Sequence, residues 1–141
     1  MVDQITYLLD TNIISEVVKK TPDTEVMNKI KQFDGMLALP SVVLHELRFG
    51  WLSMPEGKRK QGIGQFIVEV VGQLPVLDYD ARAARVHAEI RAEIKQKGET
   101  IPFVDGQIAA IAIVNGITLV TRNTKDFQAI SGIRLDNWFC S

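Results

Sequence analysis

The stretch Ile5-Thr6-Tyr7-Leu8-Leu9-Asp10-Thr11-Asn12-Ile13-Ile14 passes from an apolar run, through three polar residues, into a segment of helical character that ends in charge at Lys19 and Lys20. It reads as strand, turn, helix. Downstream, Thr21-Pro22-Asp23 restarts a helix through about Phe33, Asp34-Gly35 turns the chain, and Met36 to Leu39 is a compact buried strand stopped by Pro40. Ser41 is placed to N-cap a helix from Val42 to about Met54, and after Pro55-Glu56-Gly57 a second helix runs from Lys58 to Val71. Leu74 to Leu77 reads as a further strand. From Tyr79 to Lys97, Ala83, Val86, Ile90 and Ile94 recur at helical spacing, with Gly98 as a C-cap. Pro102 opens Phe103 to Val114, apolar nearly all round apart from Asp105 and Gln107, as a central helix would be, and Asn115-Gly116 ends it. Ile117 to Thr121 makes a strand, Asn123 to Phe127 a turn or short helix, and Ile133 to Leu135 a last strand. This alternation predicts an α/β fold with a mainly parallel central sheet of about four to five strands, flanked by helices on both faces.

Bulk composition narrows the class. A chain of 141 residues, 46% hydrophobic and 23% charged, with no repeat or linker, suits one domain over 1–141. No apolar run approaches the roughly 20 residues of a membrane helix. Met1-Val2-Asp3-Gln4 lacks the basic start of an export signal. The single cysteine, Cys140, has no partner for an internal disulfide or a zinc site, so a reducing cytoplasm is expected. With two histidines, His45 and His87, a histidine-rich zinc site is unsupported, and His87 is assigned to a helix surface. No Gly-rich phosphate loop occurs. The net charge of -1 gives no general attraction to nucleic acid. Phosphate contacts would fall to local groups such as Lys58, Arg59 and Lys60, or Arg82, Arg85 and Arg91, although a solvated helix face explains both sets equally well.

Ligands of open α/β sheets bind beyond the carboxyl ends of strands, where strand order reverses. Asp10 with Asn12 follows the first strand, and Thr121 with Asn123 follows the strand Ile117 to Val120; if those strands are neighbours, their polar ends share a cleft. An N-cap role would account for Asp10 as well. Glu46 stands on a largely apolar helix face, where a carboxylate is costly to desolvate unless paired or bound to a cation; a salt bridge to Arg48 or a lysine is the alternative. Asp105 heads an apolar helix, where the helix N-terminus alone could favour it. Three acids, each in an apolar segment near an element end, suggest one shared site. Clustered carboxylates repel unless a cation holds them together. All-oxygen donors suit Mg²⁺ or Mn²⁺, and phosphodiester cleavage is the reaction such a site serves, by activating water and neutralising charge on the phosphate without a covalent enzyme intermediate.

Leu8-Leu9-Asp10-Thr11-Asn12, Glu46-Leu47 with Gly50, Asp105 with Gln107-Ile108-Ala109, and Thr121-Arg122-Asn123, with the closing Gly132-Ile133-Arg134-Leu135 and Asn137-Trp138, together resemble the PIN-domain toxins of the VapC and FitB type over essentially the whole chain. The resemblance implies a PIN-domain fold, with Asp10, Glu46 and Asp105 as the three principal acids that bind metal and position water, and Asn12 and Thr121 as supporting polar residues. The fourth acid of many relatives falls at Asn123, which can ligate through its amide oxygen but brings no charge; Asp126 could compensate, or cap its turn. It further implies an RNA substrate, with the anticodon region of initiator tRNA as one family target. A homodimer is expected, with a VapB-like antitoxin across the cleft through which alone operator DNA is bound. Two other readings stand beside the nuclease: a catalytically weak PIN-like interaction module, favoured by Asn123, and a structure-selective DNA nuclease, whose inserted arches 141 residues leave no room for.

Overall fold

A computed structural model of the chain describes residues 4–139, so the expectations on Met1 to Asp3 and on Cys140 lie outside the described residues. Among the described residues the chain forms, in order, β1 (Tyr7–Leu9), α1 (Thr11–Val17), α2 (Thr24–Gln32), β2 (Leu37–Pro40), α3 (Ser41–Leu52), α4 (Lys58–Glu69), β3 (Val76–Leu77), α5 (Ala81–Gln96), α6 (Phe103–Asn115), β4 (Thr118–Val120) and β5 (Leu135–Asp136). Short 3-10 turns fall at Val71–Gln73 and Thr124–Phe127.

The five strands make one sheet in the order β3-β2-β1-β4-β5, and every pairing is parallel. Consecutive strand residues point to opposite faces. In β2, Leu37, Ala38 and Leu39 are all buried, as are Leu8 and Leu9 in β1, so both faces of the sheet are covered. This is the α/β architecture expected from the alternation of elements. β1 lies between β2 and β4, with Leu9 opposite Val120. The chain runs outward from β1 through β2 to β3 and returns to β4 on the other side, so strand order reverses between β1 and β4.

Local chemistry sets the helix ends. Asp23 caps α2 by accepting from the backbone N–H groups of Glu25 and Val26, and Asp80 caps α5 through Ala83 N–H at 3.0 Å. Gly116, at φ 66°, ends α6 in the left-handed conformation that lets the chain drop directly into β4. Ser41 differs from expectation. It is the first residue of α3 and does not cap it; its hydroxyl accepts instead from the backbone N–H of Tyr79 at 3.4 Å.

The core is continuous from Leu8 and Leu9 through Ile108 to Ala112, and closes on Phe127 and Trp138. Trp138 anchors the C-terminal segment: its ring lies 5.3 Å from Tyr7 and 5.7 Å from Phe33, and its indole N–H donates to Asp136. His87 corrects the reading of it as a surface residue. It is 1% exposed, because α5 presents Ala83, His87, Ile90 and Ile94 to its neighbour. No helix among the described residues is long and apolar enough to cross a membrane.

Candidate active site

The cleft opens where the sheet order reverses. β1 delivers Asp10 and β4 delivers Thr121 one residue beyond the paired Leu9 and Val120, and the backbone N–H of Asp10 donates to Val120 O at 3.0 Å. The two polar ends therefore meet because their strands are hydrogen-bonded neighbours. Asp10 is 8% exposed. Its carboxylate accepts from Thr11 N–H at 2.7 Å, from the Thr121 hydroxyl at 2.9 Å and, more loosely, from the Asn12 amide at 3.4 Å. Asp10 thus caps α1 and also faces the cleft, so the two readings of it are compatible.

Asn12 and Thr121 form a frame beneath that carboxylate. The Asn12 amide reaches Thr121 Oγ1 at 3.3 Å, and its oxygen accepts from Arg122 N–H at 3.1 Å. Thr121 Oγ1 also accepts from Asn123 N–H at 3.1 Å. Glu46 comes in from α3, where Thr11 donates its hydroxyl to Oε2 at 2.8 Å. Among the described residues no lysine or arginine forms an ion pair with Glu46, so the proposed salt bridge to Arg48 or a lysine is not found. Asp105 stands in the first turn of α6 and lines the same cleft.

The cleft, of about 400 Å³, is walled by Asp10, Asn12, Glu46, Asp105 and Asn123, with Val104 and Phe139 as apolar neighbours. Its electrostatics match a crowded set of carboxylates. Burial pushes Asp105 up to about 6, with the charges of Asp10, Asp126 and Glu46 adding to the effect. Burial likewise holds Asp10 above its ordinary value, against the hydrogen bonds from Thr121 and Thr11, and Glu46 and Asp126 again contribute. Asp126 is exposed on the 3-10 turn and does not line the cleft, yet its charge is felt by both acids.

All-oxygen donors under mutual repulsion fit a hard divalent cation. Among the described residues no three acidic, histidine or cysteine side chains stand close enough together to hold a metal ion between them. The acids surround an open cleft instead, which suits an ion held by one or two carboxylates, waters and substrate phosphate.

Two basic residues that sequence reasoning missed belong to this site. Lys19 and Arg122 both line the cleft; Lys19 pairs with the buried Glu16 at 2.9 Å, and Arg122 lies 4.5 Å over the Phe139 ring. Position next to Thr121 was the available signal for Arg122. The basic groups singled out from sequence are elsewhere: Lys60 pairs with Glu56, Arg82 lies near Asp80, and Arg91 covers Phe103.

The family model for the PIN domain matches residues 7–133. The chain is 36% identical to the VapC ribonuclease Y4jK of Sinorhizobium fredii, over 93% of this chain and 96% of that protein. It is 33% identical to the tRNA(fMet)-specific endonuclease VapC of Shigella flexneri, over 94% and 97% respectively. Among solved structures, VapBC2 from Rickettsia felis bound to a DNA fragment from its promoter aligns with a TM-score of 0.82 at 32% identity, over 95% of this chain and 99% of that one.

Proposed function

Since the chain belongs to the PIN-domain family, we propose that it is a metal-dependent endoribonuclease and the toxin component of a VapBC-like toxin–antitoxin pair, with 1–141 as a single PIN domain acting in the cytoplasm. One observation carries this reading. Carboxylates from three separate segments, Asp10, Glu46 and Asp105, border one cleft at the sheet's reversal point, and Asp105 is held at about 6 by burial and by its acidic neighbours.

Asp10, Glu46 and Asp105 would hold Mg²⁺ or Mn²⁺ and position the attacking water. When bound, such an ion supplies charge neutralisation on the phosphate and lowers the pKa of water. The chain's own residues prepare the ground. Thr121 and Asn12 fix the rotamer of Asp10, and the Thr11 hydroxyl does the same for Glu46. Lys19 and Arg122 sit where they can take up flanking phosphates of single-stranded RNA. Asn123 lines the cleft as a neutral amide, while Asp126 supplies the fourth negative charge from the adjoining turn. The relatives named as ribonucleases and as a tRNA(fMet)-specific endonuclease support RNA as substrate, with tRNA the first candidate.

Partners follow the same line. A VapB-like antitoxin would cover the cleft and carry operator DNA binding, and the chain would act as a homodimer. Phe49, Leu52 and Val68 on α3 and α4 are 66%, 57% and 68% exposed, which gives a protein partner apolar surface to cover.

The test is cleavage of total cellular RNA by the purified chain with Mg²⁺ or Mn²⁺ against EDTA, beside Asp10→Asn. Discrete metal-dependent fragments that the variant fails to make are expected. Intact RNA under every condition would instead favour a non-catalytic interaction module.

A further inference from the structure

His87 is buried, yet it belongs neither to the cleft nor to an ordinary apolar seam. Its Nδ1 lies 2.8 Å from the Tyr79 hydroxyl. Among the described residues its Nε2 has no hydrogen-bond partner. That side of the ring abuts Gly106 so closely that a Cβ there would fall 2.4 Å from Nε2 and 2.6 Å from Cδ2. The ring also meets Phe103 edge to face, with centroids 4.7 Å apart. Burial and the nearby Arg91 hold the imidazole below its usual pKa, so it sits here uncharged.

A buried polar atom without a partner costs free energy, and leucine or isoleucine would fill such a seam without that cost. What the imidazole adds is a connection at both ends. Gly106 follows Asp105 directly in the first turn of α6. Tyr79, on the other side, donates its backbone N–H to Ser41 Oγ at the first residue of α3, the helix that carries Glu46. The path Ser41, Tyr79, His87, Gly106 therefore spans the amino ends of the two helices that bring acids to the cleft from outside the β1–β4 seam.

Resting on the metal-dependent reading of the cleft, we propose that His87 is a positioning residue: wedged between the Tyr79 hydroxyl and Gly106, it sets the spacing of α3 and α6, and with it the distance between the carboxylates of Glu46 and Asp105. Gly106 is part of the device, since no side chain fits between α6 and the ring. The role is geometric and needs no contact between His87 and the reacting atoms.

The experiment compares His87→Asn, which keeps a polar atom near Tyr79 but removes the ring from Gly106, with Tyr79→Phe, which removes only the hydroxyl. Ile94→Ala, two turns along the same buried stripe, serves as a control for general loss of packing. Each folded variant is titrated with Mn²⁺ by calorimetry, its RNA cleavage is resolved into kcat and KM, and the backbone amide signals of Glu46 and Asp105 are recorded in metal-free protein. His87→Asn is expected to weaken Mn²⁺ about tenfold, as loss of a supporting group around a metal site does, with a fall in kcat and little change in KM. Tyr79→Phe should give a smaller loss in the same direction, and both should move the two amide signals. Ile94→Ala should lower Tm and leave Mn²⁺ affinity and those signals in place. Wild-type affinity and unmoved amides in both His87→Asn and Tyr79→Phe would overturn the proposal, as would an equal loss of affinity in Ile94→Ala. A wild-type protein that binds no Mn²⁺ would overturn the metal-site reading alone, and the amide signals would still decide the spacing.

Discussion

The hydroxyl of Thr121 donates to Asp10 Oδ2 at 2.9 Å, joining two side chains 111 positions apart in the chain. The bond crosses from the end of β4 to the end of β1 and ties a buried acid of the cleft to the sheet. It also opposes the effect of burial on that carboxylate. Thr121→Val keeps the shape and removes the donor. It should raise the pKa of Asp10 further, destabilise the protein by about 1–3 kcal/mol at neutral pH, and slow cleavage, as read by urea denaturation and a cleavage time course.

Replacing an acid by its amide separates chemistry from folding. Asp10→Asn and Asp105→Asn should each abolish cleavage while leaving the metal-free Tm level or higher, because each removes a carboxylate that burial already penalises. Loss of folding in Asp105→Asn would show that this acid serves the fold.

Metal binding has its own thermal signature. At a free Mn²⁺ concentration a hundredfold above Kd, the wild type should gain about 2.7 kcal/mol of stability. Melting curves recorded across a Mn²⁺ series should show that gain for the wild type and none for Asp10→Asn.

The raised value of Asp105 makes metal-free stability depend on pH in a definite direction. The folded protein holds this proton up to about 6, against an ordinary 3.8. The contribution is therefore complete below 3.8 and is lost as pH rises through about 6. In EDTA, the stability difference between wild type and Asp105→Asn should shift against the wild type across that window. Mn²⁺ affinity should rise over the same range, since the ion displaces a proton. A difference independent of pH would contradict the assignment.

Asn123 lines the cleft without a charge, while Asp126 on the adjoining turn adds to burial in raising the pKa of Asp105. Asn123→Asp should tighten Mn²⁺ binding by adding charge at the cleft wall, and Asp126→Asn should weaken it while lowering the pKa of Asp105. Calorimetry with both variants checks the pair; an unaffected affinity in Asp126→Asn would reduce that residue to part of its turn.

Much of this arrangement was legible because it is local. Asp10 after an apolar run and Asp105 heading an apolar helix both follow from patterning over a few residues, and the sheet's parallel character follows from strands alternating with helices. What depended on packing between distant segments was not legible. The buried stripe of α5 passes through His87 at the same helical spacing as Ala83, Ile90 and Ile94, but an imidazole scored as polar hides that match. Ser41 looked like a cap because serine commonly is one; its hydroxyl is instead engaged by Tyr79, a pairing set by how α3 meets the segment after β3. Lys19 entered the cleft through a turn geometry fixed by Glu16.

The strand order also governs when the cleft can be completed during folding. β4 must insert beside β1 at the middle of the sheet before Thr121 can reach Asp10. A chain in which β4 has not yet docked against β1 holds Asp10, Glu46 and Asp105 without the hydroxyl that joins Asp10 to the sheet. The cleft is thus completed only when segments 111 positions apart in the chain have met, a contact whose loop-closure cost is high.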